Sequence, residues 1–147
     1  MSSKKHIDIL VIGSGPGGYA AAFRAADLGR KVIIVDKDPT LGGVCLNRGC
    51  IPSKTLLHIA RVLEETESLK KMGVSFAKPK IDIKTVRNWK NKIINQLSGG
   101  IAQMAKARKV ETIEGVATFI SDKEIQVDRK SEKENITFDH CIIAAGS

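Results

Sequence analysis

Ile7-Asp8-Ile9-Leu10-Val11-Ile12-Gly13-Ser14-Gly15-Pro16-Gly17-Gly18 is the stretch that decides the fold. Its first half is a nearly continuous apolar run rich in β-branched residues, the pattern of a buried parallel strand. Its second half is a glycine turn. Tyr19 to Leu28 follows as a helix, with Ala20, Ala21, Ala22, Ala25 and Ala26 allowing close packing and Gly29 closing it as a C-terminal cap. Lys31 to Val35 is a second strand, and Asp36 sits at its end. Strand, glycine turn, helix, strand and acid, in that order, make the dinucleotide-binding unit of an α/β protein. The acid falls 23 residues after Gly13, close to the spacing of a ribose-binding carboxylate. Each glycine has a task in such a turn. Gly13 makes the tight bend, Gly15 lets backbone approach a pyrophosphate, and Gly18 lets helix and strand pack closely. The phosphates sit on the helix N-terminus, where free N–H groups point outward.

Outward from this unit comes Gly42-Gly43-Val44-Cys45-Leu46-Asn47-Arg48-Gly49-Cys50-Ile51-Pro52-Ser53-Lys54. Two of the three cysteines lie here, with four residues between them. In an unbroken helix, positions five apart are separated by about 7.5 Å along the axis, beyond the usual reach of a disulfide. A bridge therefore requires a loop or bulge, and Gly49 allows one. Pro52 suits the first turn of a helix. A thiol beside that helix start, with Lys54 close in sequence, is biased toward the reactive thiolate. The reading is a working redox pair. A static disulfide, two buried thiols and a zinc site are the alternatives, and no second pair of ligands stands at zinc spacing.

Pro52 to Met72 reads as a helix with Leu56, Ile59, Ala60 and Leu63 on one face, ended by Gly73. Val74 to Phe76 is a short extended piece, and Lys78-Pro79-Lys80 is a loop. Asp82 caps a long helix carrying Val86, Trp89, Ile93, Ile94, Leu97, Ile101 and Met104 at helical spacing, with Trp89 expected in the core. Gly99-Gly100 is expected to interrupt it. From Lys109 the period becomes that of strands. Val110 to Ile120 alternates around Gly115. Glu124 to Val127 and Ile136 to Phe138 form a hairpin about the charged turn Asp128 to Asn135. Cys141 to Ala145 is a last buried strand, with Cys141 an inert core thiol.

The chain has 147 residues and a net charge of +8, with 42% hydrophobic and 27% charged residues, which fits one modest globular domain. Basic residues are scattered, at Lys4-Lys5, Lys70-Lys71, Arg87, Lys90, Lys92, Lys106, Arg108 and Lys109, and aromatics make up only 4%. That distribution argues against nucleic-acid binding and favours attraction to an acidic protein partner. No stretch approaches a membrane span, and no signal peptide is expected ahead of Ile7. A cytoplasmic location follows, where disulfides are usually catalytic or sensing.

Gly42 to Lys54 resembles the active-site signature of the pyridine nucleotide-disulfide oxidoreductase family. Ile51-Pro52-Ser53-Lys54 leans toward its dihydrolipoyl dehydrogenase branch rather than the glutathione or mercuric reductases. The resemblance extends over essentially the whole chain. It implies a Rossmann-like, three-layer FAD-binding α/β fold with a β-meander or hairpin insertion, spanning 1–147 and incomplete at the C-terminus, with the NAD-binding and interface domains absent. It implies oxidation of protein-bound dihydrolipoyl groups, with tightly but non-covalently bound FAD and with NAD+ as final acceptor. By the same resemblance Cys45 is the interchange thiol, and Cys50 lies against the flavin. Gly13, Gly15 and Gly18 hold the pyrophosphate, Asp36 takes the adenosine ribose, and Lys37 lies near the adenosine half. Gly43, Val44 and Cys45 line the flavin side, Lys54 tunes the flavin, Ala117 meets the adenine through its backbone, and Ala145 and Gly146 close over FAD. Arg48 departs from the family's small apolar residue, with an expected effect on a thiol pKa or on the substrate channel. No metal is implied. The implied partners are lipoyl domains, the acyltransferase core of 2-oxoacid dehydrogenase complexes and a second copy of the enzyme. His6, His58 and His140 match no catalytic base. The FAD half of a related glutathione- or mercuric-type reductase and a flavin-binding piece without catalysis are the rival readings.

Overall fold

The computed structural model describes residues 5–130 and 132–146. Lys4, Ser131 of the charged turn and Ser147 lie outside the described residues. One sheet runs in the order β3-β2-β1-β6-β5-β4. Strands β1 (Lys5–Ile12), β2 (Val32–Asp36), β3 (Glu111–Glu114) and β6 (Lys133–Ile143) are parallel neighbours. Strands β4 (Val116–Ser121) and β5 (Glu124–Asp128) continue beyond β6 as an antiparallel meander.

The two edges of this sheet are joined by Gly115 alone, between β3 and β4. The sheet therefore folds over itself, and the meander covers one face of its own parallel part. A β-carbon on Gly115 would stand 2.5 Å from Val127 Cγ1 and 2.8 Å from the Asp128 carbonyl oxygen, so only glycine fits this corner. The alternating stretch Val110 to Ile120 is thus two strands, not one. Conversely, Ile136 to Phe138 and Cys141 to Ala145 are not two elements. They belong mainly to the 11-residue β6, which pairs with β5 over Lys133 to Thr137 and with β1 from Ile136 to Ile143.

Period-2 alternation sends neighbouring residues of the parallel strands into different cores. Leu10, Ile33, Val35 and Ile113 face the meander and pack on Ile125, Val127, Ile136 and Phe138. Val11, Val32 and Ile34 face the helices, against Ala22, Phe23, Ile94, Ile101 and Ala105. Helices, parallel sheet and meander make three layers, the Rossmann-like α/β architecture expected.

Helix α1 spans Pro16–Asp27, and Gly29 takes a left-handed φ of +81° just beyond it. α2 (Gly43–Arg48) and α3 (Cys50–Ser68) meet at Gly49, and a 3-10 turn over Leu69–Met72 ends in the left-handed Gly73. The α2 helix was not legible in the sequence, and α3 begins earlier than Pro52. No regular element covers Val74 to Phe76. Asp82 caps α4 (Ile83–Ala107) as expected, accepting from the Lys84 and Thr85 amides.

α4 runs unbroken through Gly99-Gly100, contrary to expectation. Ile94, Ser98, Ile101 and Ala105 are buried on both sides of the pair and hold the helix against the sheet, outweighing a glycine cost of roughly 1 kcal/mol each. Trp89 is exposed rather than in the core, with Lys92 over its ring. It sits in the outer half of α4, beyond the reach of the sheet. Arg108 ties the other end of α4 to α1, pairing with Asp27 at 2.9 Å and lying over Phe23. None of the α3 residues is fully buried; Ile59 and Leu63 are half-buried, whereas Leu56 and Ala60 of the expected face are exposed. No described helix is long and apolar enough to cross a membrane.

Candidate functional site: a glycine turn packed against a disulfide

The C-terminal ends of β1 and β6 and the start of α1 converge on the glycine turn. Gly13 has φ +101°, and a β-carbon there would lie 2.2 Å from the Ala144 carbonyl oxygen. On Gly18 it would lie 1.9 Å from the Gly13 carbonyl oxygen. Gly13 thus admits the end of β6, and Gly18 brings α1 onto the turn. Gly15 differs. A β-carbon there meets nothing nearer than the Gly43 Cα at 4.0 Å, so this glycine leaves room that no atom of the described chain fills. α1 has no side-chain cap at its N-terminus, so no side-chain cap takes up its first amides.

The segment carrying Cys45 and Cys50 is built directly onto this turn. The Gly42 amide donates to the Ser14 carbonyl at 2.9 Å. A β-carbon on Gly43, whose φ is +60°, would come within 2.7 Å of the Gly15 Cα. Leu46 is buried among the helix-layer residues and anchors α2. Asn47 Nδ2 donates to the Gly43 carbonyl at 3.0 Å and the Leu41 carbonyl at 3.3 Å, pinning the entry to α2. At Gly49 the chain turns sharply (φ −122°, ψ −102°), and the Cα atoms of Cys45 and Cys50 come within 4.8 Å of each other in a disulfide. The bulge that spacing demanded is therefore present. Cys50 is the first residue of α3 and is exposed; Cys45 is half-buried in α2.

A cleft of about 560 Å³ joins these parts. Gly13, Gly15, Asp36, Lys37, Gly43, Val44, Cys45, Cys50, Ala145 and Gly146 line it, as do Asp38 and Arg48. A smaller cleft of about 200 Å³ shares Gly13, Asp36, Lys37 and Ala145 with it and adds Ala117. Of the residues singled out from sequence, only Gly18 and Lys54 line neither. Gly18 lies behind the turn, and Lys54 is exposed one turn into α3.

Asp36 is already engaged by the chain. Its carboxylate accepts from the Ser14 amide at 2.6 Å and the Asp38 amide at 2.9 Å. Burial alone would raise its pKa. The hydrogen bonds from Asp38 and Ser14, with the charge of Lys37, outweigh burial and hold the carboxyl below the usual range. Asp36 is thus ionised at neutral pH and braces the glycine turn. Cys141, half-buried on β6, is a free thiol whose pKa is raised by burial, as an inert thiol requires. His6, His58 and His140 are all exposed. Among the described residues, no three His, Cys, Asp or Glu side chains are grouped to hold a metal.

The family model described as pyridine nucleotide-disulphide oxidoreductase matches residues 7–147. The chain belongs to that family. Within it, the chain is 52% identical over 147 residues to the dihydrolipoyl dehydrogenase of Vibrio cholerae serotype O1. It is 49% identical over 148 residues to that of Haemophilus influenzae. The dihydrolipoyl dehydrogenase of Bacillus subtilis is 44% identical over 140 residues, or 95% of this chain. The chain covers 31% of the first two relatives and 30% of the third. Sequence reading missed one residue that lines this family member's cleft, Asp38, the ion-pair partner of Arg48, and one that lies outside it, Asn47, which pins α2. The polar insertion in Leu46-Asn47-Arg48, inside a short helix, was the available signal for Asn47. Asp38 left none.

Proposed function

We propose that this chain is the FAD-binding, disulfide-bearing part of a dihydrolipoyl dehydrogenase. The observation that supports the reading is the close approach of Gly43 to Gly15, with Cys45, Cys50 and the glycine turn lining one cleft. The residues fit the cofactor: the room at Gly15 and the uncapped start of α1 suit a pyrophosphate. Gly13, Gly15 and Gly18 shape that seat, Asp36 and Lys37 take the adenosine side, and Ala117, Ala145 and Gly146 line its walls. FAD held there, tightly and without a covalent link, would supply a two-electron acceptor, with NAD+ as final acceptor in the longer enzyme.

The chemistry of the chain itself is thiol–disulfide exchange. One thiolate of a protein-bound dihydrolipoyl group attacks Cys45 Sγ. The bond to Cys50 breaks, and the electron pair leaves on Cys50 at the start of α3, where the helix dipole stabilises it. The second substrate thiol then displaces Cys45, closing the lipoyl disulfide. The substrate loses two electrons and two protons; the pair gains the electrons, and the protons pass to the cysteine sulfurs or to solvent. Lys54, on the same helix, adds positive charge on the flavin side. Lipoyl domains and the acyltransferase core of 2-oxoacid dehydrogenase complexes are the partners. NAD-binding and interface domains complete a cytoplasmic homodimer.

Visible absorbance of the purified chain mixed with FAD tests this. A bound-flavin spectrum that changes when dihydrolipoamide is added supports the reading. No flavin binding at any FAD concentration overturns it for this chain.

A further inference from the structure

Between Cys45 and Cys50 the only charged residue is Arg48. It is the last residue of α2, it lines the cleft that both cysteines line, and its guanidinium Nη2 is bonded to Asp38 Oδ2. Asp38 is the more buried partner, and its position is fixed from behind. Its amide donates to Asp36 Oδ1 at 2.9 Å, while Asp36 Oδ2 accepts from the glycine turn. The guanidinium is thus tethered to a braced carboxylate on the far side of the loop after β2. We propose that Asp38 is a positioning residue for the redox pair: by neutralising and holding Arg48, it sets how readily the Cys45–Cys50 disulfide accepts electrons. This rests on the redox reading of that pair but not on any cofactor.

The physical reason is the charge made on reduction. Opening the disulfide places a thiolate on one sulfur, and a free cation within about a helical turn favours that state. With Asp38 bound, the pair contributes almost no net charge. Lys37, Lys54 and Asp36 are the other charges nearby, and all stay unchanged in the test. Asp38→Asn leaves the Arg48 charge unmasked and shifts the equilibrium toward the dithiol. Arg48→Gln leaves the Asp38 carboxylate unmasked and shifts it toward the disulfide. Both variants break the same bridge, so a merely structural role moves them together, whereas an electrostatic one moves them apart.

The experiment equilibrates the cofactor-free chain with mixtures of reduced and oxidised dithiothreitol at pH 8. Each dithiothreitol gives up two electrons and two protons as its ring disulfide closes, and the protein disulfide takes up the electrons. Alkylation and mass spectrometry count the free thiols. The expected shifts are about three- to tenfold in opposite directions at low salt, collapsing in 1 M salt. Arg48→Lys retains most of the wild-type value. Thermal melts of the variants stay close to wild type, because an exposed pair contributes at most about 1 kcal/mol. Equal constants for all variants, or shifts of the same sign in both Asp38→Asn and Arg48→Gln, overturn the proposal.

Discussion

Gly15→Ala separates the two tasks of the glycine turn. Gly15 has φ −68° and ψ −178°, which alanine adopts freely. The added methyl meets no atom nearer than 4.0 Å. The apo fold therefore tolerates it. Exchanging glycine for alanine at a helix N-cap costs roughly 0.5–1 kcal/mol, about 1–4 °C in a domain of this size. The methyl does occupy the space proposed for a pyrophosphate. A phosphate kept from the first amides of α1 loses one or two charge-assisted hydrogen bonds, roughly 2–3 kcal/mol in all. That weakens FAD binding by about 30- to 150-fold. Flavin fluorescence titration gives the Kd, and circular dichroism melts of the same samples report the fold. An unchanged Kd with an intact fold would refute the placement of phosphate at Gly15. A melt lowered as far as by Gly18→Ala would refute the argument that the space is free.

Gly18→Ala has the opposite signature. Its methyl would stand 1.9 Å from the Gly13 carbonyl oxygen, and neither backbone can yield without opening the turn. A loss of about 3 kcal/mol or more, roughly 6–12 °C, is expected in a thermal melt, and a melt near wild type would contradict the packing. Asp82→Ala removes the acceptor of the Lys84 and Thr85 amides, at 2.9 and 3.2 Å. A cost of about 1 kcal/mol is expected, with Asp82→Asn restoring most of it.

Legibility in the sequence followed the range of the interactions. The β1–turn–α1–β2 unit was readable because its signals are local: an apolar run, glycines, an alanine-rich helix and an acid within one short segment. The Asp82 cap was readable for the same reason. α2 was not, being six residues long with no periodicity to detect. Gly99-Gly100 misled because helix propensity is weak beside the buried residues flanking it. Trp89 misled because helical spacing shows which residues share a face but not how far along the helix its partner extends.

The sequence by itself determined the α/β class, the glycine turn between β1 and α1 and the presence of a bridgeable cysteine pair. Each depends on residue type and spacing within a few turns of chain. Only the tertiary structure decided that these form one site. Ala144 fills the space that a side chain at Gly13 would need, and Gly43 lies against Gly15. The meander folds back over its own sheet through the single corner at Gly115. The Asp38 tether on Arg48 depends on two segments meeting across a loop. Such contacts are set by packing between distant residues, and packing leaves no periodic trace in the chain that makes it.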